Sequence, residues 1–265
     1  MSNSGNKNQL WQWQPSQEYS YLTCRLLSHW QHGFFTKQFY PRLPEKLTTI
    51  LQPATTAFRV KQVHGNTVLT PQEIVTLVES GSLNNSIPDA DAVINDRQSQ
   101  SVWVASADCT PILIGDIQTG QVCAIHAGWR GTAKRIVVEA VSTFFKFGSQ
   151  PENLRIAIGP AIAGKVYQVD DYVALEVGKT ISNLDETEVI DALKQLSKPP
   201  ILEDELPAKV RLDVPQINFL QLTQLGIRPD HIAIAPYCTY QQNDLFFSYR
   251  RTGEKKVQWS GILSN

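Results

Sequence analysis

The sequence predicts a single α+β domain, and three observations predict it. Segments of strand and helix character are interspersed without the regular βαβ beat of a parallel sheet. Two apolar runs, 112–115 and 122–125, flank a polar Gln118-Thr119-Gly120 turn and read as a β-hairpin. From Ile136 onward, Val137, Ala140, Val141, Phe144 and Phe145 recur at helical spacing until Gly148. A chain of 265 residues with 42% hydrophobic content carries enough apolar surface for a sizeable core.

Residues 1–20 are polar and aromatic and are expected to form a loosely held arm anchored by Trp11 and Trp13, with residues 21–265 as the domain. A first strand is expected over 21–27 and a short helix over 45–51. Apolar and polar residues alternate over 58–63, a strand pattern; His64-Gly65-Asn66 then signals a turn before Val68 and Leu69 resume it. Residues 80–90 read as a loop, and 92–94 and 101–105 as strands, the second leading directly to Cys109. Pro111 removes a backbone donor and restricts Thr110 to extended conformations, which suits an exposed kink better than a central strand. Thr132 is the expected N-cap of the helix over 136–147, whose free N–H groups offer an anion a seat. Further on, 154–158, 232–235 and 245–249 read as strands, and 172–180, 186–196 and 214–225 as helices. Residues 198–208, with three prolines and several acids, read as a solvated connection rather than a second core.

Charge narrows the function classes. With 24 basic and 25 acidic residues the net charge is −1, which gives no electrostatic case for a nucleic-acid or membrane-surface partner. The apolar runs are too short to span a bilayer, and residues 1–9 lack the apolar core of a signal peptide, so a cytoplasmic protein is expected. The four cysteines, at 24, 109, 123 and 238, form no CxxC pair and read as buried thiols, except Cys109.

Cys109 and His126 sit just outside opposite ends of the hairpin, a geometry that brings a thiol and an imidazole to one sheet edge. The plain alternative is a core thiol beside a hydrogen-bonded imidazole. His64, at a further strand end, completes a Cys/His/His set of the kind that suits zinc, with a fourth position open for chemistry. A nucleophilic Cys109–His126 pair competes with that reading and would need an orienting third group. Asp108 is adjacent, but neighbours on a strand face opposite ways, so it reads as a cap or a support, with catalysis as a guess. Arg130, in the turn after His126, is placed to reach an anion; Lys134 and Arg135 read as a solvated helix face. One of Arg250 and Arg251 is expected to point inward, and Lys61 and Gln62, just before His64, alternate faces in the same way. His29, His32 and His231 read as structural. Five histidines in all cannot furnish both a blue-copper site and the imidazole-rich cluster of a multicopper oxidase.

The stretches KQVHGNTV (61–68), ADAVI (90–94), SADCTPILIGD (106–116), AIHAGWRGTAKRIV (124–137), IAIGPAI (156–162) with Tyr167 and Val169, CTY (238–240) and FFSYRR (246–251) resemble the laccase-domain family, also called the purine nucleoside phosphorylase or peptidoglycan-editing-factor family. The resemblance runs from about His32 to Gln258. It implies one α/β/β/α-layered domain and zinc (copper as the alternative ion) held by His64, Cys109 and His126. It also implies phosphorolysis of adenosine, inosine, guanosine and methylthioadenosine with inorganic phosphate, and deamination of adenosine. On that reading Cys109, His126, Asp108 and Arg130 are candidate catalytic residues, and Lys61, Gln62, Arg130 and Arg250 candidate substrate contacts, in a monomer or homodimer. A cysteine amidase and a non-enzymatic editing or partner-binding factor are the other classes. Two departures stand out: Lys37 replaces the family's arginine and is followed by Gln38-Phe39-Tyr40-Pro41 instead of Gly-Gly-x-Ser, and Lys256-Val257-Gln258 replaces Gly-Arg-Gln.

Overall fold

Alternation of side chains along the strands decides the layers. The computed structural model describes residues 10–17, 19–81 and 86–265; residues 1–9 and 18 of the expected arm and 82–85 of the expected loop lie outside them. The strands run β1 (Trp11–Ser16), β2 (Tyr19–Cys24), β3 (His32–Phe35), β4 (Thr56–Arg59), β5 (Val68–Leu69), β6 (Ala92–Ile94), β7 (Gln100–Ser106) and β8 (Thr110–Asp116). They continue as β9 (Val122–Ala127), β10 (Leu154–Ile158), β11 (Gln168–Asp170), β12 (Ile201–Glu203), β13 (Lys209–Leu212), β14 (Ile232–Ile234) and β15 (Gln258–Leu263). The helices are α1 (Pro44–Leu51), α2 (Pro71–Glu79), α3 (Trp129–Ala133), α4 (Ile136–Lys146), α5 (Asp171–Gly178), α6 (Glu186–Lys194), α7 (Val214–Gln224) and α8 (Tyr249–Thr252).

Two six-stranded sheets form the centre, in the orders β1-β2-β3-β15-β7-β4 and β14-β10-β8-β9-β6-β5. Leu22, Phe34, Val102, Val104 and Ile262 of the first sheet meet Val93, Leu113, Ala124 and Ala157 of the second in one apolar layer. On the second sheet's other face, Ile94, Ile112, Ile114, Ile125 and Ile156 pack against Ile136, Val137, Val141 and Phe144 of α4 and Leu222 of α7. On the first sheet's other face, Phe35, Trp103 and Leu263 take Leu47 and Leu51 of α1. The order is helix, sheet, sheet, helix, so the expected α/β/β/α layering is observed. A third sheet, β11-β13-β12, lies beside it.

Several local expectations give way to tertiary contacts. The segment at 11–16, expected in a loose arm, is strand β1, paired in full register with β2 and seating Trp11 against Phe34. Pro111 is buried in β8, between β10 and β9, and is no exposed kink. It sits near the strand's start, and its carbonyl still accepts the Gly159 N–H at 2.8 Å. Thr132 lies inside the short α3, hydrogen-bonded to Asn218 of α7, and Arg135 in the left-handed region (φ 62°) separates α3 from α4. Residues 198–208 include β12, and Ile201 joins Val177, Val189, Val210 and Leu212 in a further core. Glu203 faces solvent, the Asp204 side chain is buried in an ion pair with Arg211, and Ile201 is the one fully buried position of the strand, too short a pattern to register as alternation. The strand expected over 245–249 is absent: Leu245 and Phe246 N–H turn back to the Gln242 carbonyl, and Ser248 caps α8 by accepting from Arg251 N–H. The strand that fills the first sheet instead is β15, which sequence reading left unassigned.

Candidate metal centre

Three loops and strand ends converge where β8 begins and β9 ends. Pro111 of β8 is opposite His126 of β9, which brings Cys109, just ahead of β8, to the end of the pair. The turn between β4 and β5 supplies His64, in the left-handed region at φ 59°. One donor atom from each of His64, Cys109 and His126 lies within 4.8 Å of the other two. Cys109 Sγ is 3.8 Å from His64 Nε2, and the two imidazole rings are 4.9 Å apart, inclined by 77°.

Asp91 organises both histidines. Its fully buried carboxylate faces His126 Nδ1 at 2.8 Å and accepts backbone N–H bonds from His64 (3.0 Å), Gly65 (2.6 Å) and Val63 (3.3 Å). The carboxyl is held below the usual carboxylate range: burial opposes this, but the bonds from His126 and Gly65 outweigh it. His126 is likewise pushed up to about 9, burial being overcome by Asp91 and Cys109. Burial alone would raise the Cys109 thiol; hydrogen bonds and charge from His126 and His64 bring it down to about 6. At neutral pH the edge therefore presents a Cys109 thiolate beside a protonated His126 oriented by Asp91, and a bound metal ion would displace the His126 proton.

That donor set fits a tetrahedral ion of the zinc type. Zinc–nitrogen and zinc–sulfur bonds of about 2.0–2.3 Å place neighbouring donors roughly 3.3–3.7 Å apart. The 3.8 Å Cys109–His64 separation is close to this, and all three donors lie within 4.8 Å of one another. The carboxylate behind His126 is the usual support for a ligating imidazole.

Gly128 makes room for the centre. A Cβ there would lie 2.7 Å from Cys109 Sγ and 3.1 Å from His64 Cδ2. Gly128→Ala is therefore expected to displace the thiol and weaken the binding of an added divalent metal ion by about tenfold or more, read by competition with a chromogenic chelator.

Beside Cys109 a small pocket is lined by Asp108, Thr110, Gly128, Trp129, Ile162, Tyr167 and Val214. Burial, then the Cys109 charge, pushes the Tyr167 phenol up to about 12, so it keeps its proton. Two cations lie on the aromatic walls: Arg130 is 4.4 Å from the Trp129 ring centre and Arg250 is 4.8 Å from that of Tyr167. Arg250 also donates to the Gln168 carbonyl, whereas Arg251 turns inward onto the Thr239, Tyr240 and Phe246 carbonyls.

The remaining candidates have other partners. Lys61 is exposed and paired with Asp89. The Gln62 side chain bonds both backbone groups of Ala105, each at 2.7 Å, standing in for a ladder step. Asp108, at φ 93°, accepts from the Thr239 and Ser248 hydroxyls and from Arg250 N–H, tying α8 to the residue before Cys109. His32 is a buried structural imidazole, between Trp30 O and Cys24 N–H, and burial holds it down at about 4.

The fold and site define a four-layered α/β protein with one His/Cys/His centre at a sheet edge. The chain belongs to the family described as multi-copper polyphenol oxidoreductase laccase, which matches residues 44–263. It is 54% identical over 260 residues to purine nucleoside phosphorylase slr1573 of Synechocystis sp., covering 96% of this chain and 97% of that protein. Adenosine deaminase RL5, from an unknown prokaryotic organism, is 26% identical over 73% of this chain and 69% of its own length. In fold, the chain is similar to YlmD from Geobacillus stearothermophilus, with a TM-score of 0.78, 24% identity, and 95% and 98% coverage of the two chains. Among the described residues no helix is long and apolar enough to cross a membrane.

Proposed function

We propose that this protein is a zinc-dependent purine nucleoside enzyme. It cleaves adenosine, inosine, guanosine and methylthioadenosine with inorganic phosphate, and deaminates adenosine. One observation carries the reading: a His64/Cys109/His126 donor set opens beside a pocket with aromatic and aliphatic walls and a cation on each aromatic wall. The names of the relatives, a purine nucleoside phosphorylase and an adenosine deaminase, support the substrate class and both reactions.

When bound, zinc supplies Lewis-acid polarisation and lowers the pKa of coordinated water toward neutrality. The chain's own residues do the rest. Trp129, Ile162 and Val214 exclude water from one side of the base. Arg250 and Arg130 hold the phosphate and orient it for in-line attack at the ribose. Asp108 accepts three donors and so positions α8, and through it Arg250, rather than acting as a free acid. Tyr167, protonated throughout the working range, is a hydrogen-bond donor beside the base.

The test is turnover of adenosine by zinc-loaded protein with and without phosphate. Adenine with ribose 1-phosphate, appearing only with phosphate, and inosine in its absence are the expected products. Unchanged adenosine in both arms would overturn the proposal. Copper oxidation of polyphenols is less well supported. Of the five histidines, His64 and His126 alone reach the centre, and among the described residues no second metal-binding group occurs.

A further inference from the structure

Along β8, Thr110, Ile112 and Ile114 share the face that packs on α4, because side chains alternate across a strand. Ile112 and Ile114 there sit in a wholly apolar layer. Thr110, completely buried at the end of that face, carries a hydroxyl with no hydrogen-bond partner among the described residues. Its neighbours are the pocket walls Cys109, Trp129, Ile162, Tyr167 and Val214. A buried, unsatisfied hydroxyl costs stability, and valine would fill the same volume with no such cost. The cavity holds about 40 Å³ and shuts the hydroxyl off from water, so a ligand that widens it on entry can offset that cost by supplying the missing partner.

Resting on the nucleoside reading above, we infer that Thr110 is a specificity-determining residue whose Oγ1 hydrogen-bonds the edge of the purine base, next to the metal ligand Cys109. A purine suits the surroundings: its faces are apolar enough for Ile162, Val214 and the rings of Trp129 and Tyr167. Its edge carries nitrogens and a C6 amino or oxo group, which need a polar partner. A hydroxyl both donates and accepts, so Thr110 can serve adenosine and inosine alike.

The experiment compares zinc-loaded wild type, Thr110→Val and Thr110→Ser. Each is assayed for phosphorolysis of adenosine and inosine, for inosine binding by calorimetry, and for zinc content and thermal midpoint. Thr110→Val is expected to keep its zinc, melt no lower than wild type, and lose about tenfold or more in kcat/KM and in inosine affinity. Thr110→Ser keeps the hydroxyl and is expected to stay within about threefold of wild type. Unchanged binding and turnover in Thr110→Val would overturn the inference, as would an equal loss in Thr110→Ser with zinc retained. A wild type inert toward every nucleoside would overturn the functional reading and this inference with it. An active wild type matched by Thr110→Val overturns this inference alone.

Discussion

Asp91→Ala is expected to weaken zinc binding by about 10–100-fold and to destabilise the protein by roughly 2–4 kcal/mol. The carboxylate is the shared acceptor for His126 Nδ1 and for the backbone N–H groups of His64 and Gly65. Removing it frees the His126 ring to rotate and releases the turn that holds His64 at φ 59°. Each buried donor left without an acceptor costs about 1–3 kcal/mol; the turn is only half buried, so water recovers part of the loss. Asp91→Asn keeps one oxygen and is expected to fall between the variant and wild type. Urea unfolding gives the stability term, and chelator competition gives the affinity. An Asp91→Ala protein with wild-type zinc affinity would show that the ligands hold their geometry without it.

Asp91 also marks where sequence reading fell short. Cys109 and His126 could be paired from one hairpin, because antiparallel register brings its two ends together whatever the loop contains. His64 followed from its position at another strand end. Asp91 lies far from all three in sequence, and nothing local announces its partners. The signal that was available is its setting inside Ala90-Asp91-Ala92 at the head of an apolar strand. A carboxylate there is buried, and a buried carboxylate must have donors. Gln62 misled for the opposite reason: proximity to His64 suggested substrate, while the amide is spent on the backbone of Ala105.

The central strands and α4 were legible because β7, β8, β9 and α4 each carry enough apolar residues to define a face, whereas their α/β/β/α layering followed only from the resemblance to the family. The misreadings fall on segments whose structure depends on distant partners. Strand β15 is Gln-Trp-Ser-Gly-Ile-Leu, weakly patterned by itself, yet it pairs with both β3 and β7. Phe246 and Phe247 look like a strand, but Phe246 is buried within a turn and Ser248 is committed to capping α8. Thr132 has good N-cap chemistry, and its hydroxyl went to Asn218 instead.

Cys109→Ala is expected to reduce bound zinc to traces and to lower nucleoside turnover by about 10³-fold or more, the scale of losing several kcal/mol of transition-state stabilisation. By itself that result does not separate a ligand from a nucleophile, because a thiolate brought down to about 6 beside an imidazole at about 9 suits both roles. Cys109→His separates them. An imidazole at this position restores a three-histidine donor set that zinc accepts, but it cannot form a thioester. If Cys109 is a ligand, the variant binds zinc and recovers at least part of the turnover lost in Cys109→Ala, and wild-type activity vanishes on treatment with a chelator. If Cys109 is a nucleophile, Cys109→His is dead even when loaded with zinc, and wild-type activity survives chelation. The second outcome would move the protein into the cysteine hydrolases. Gly128 favours the first outcome: it leaves space around Sγ on the side where His64 approaches, the side an ion shared by the two donors would occupy.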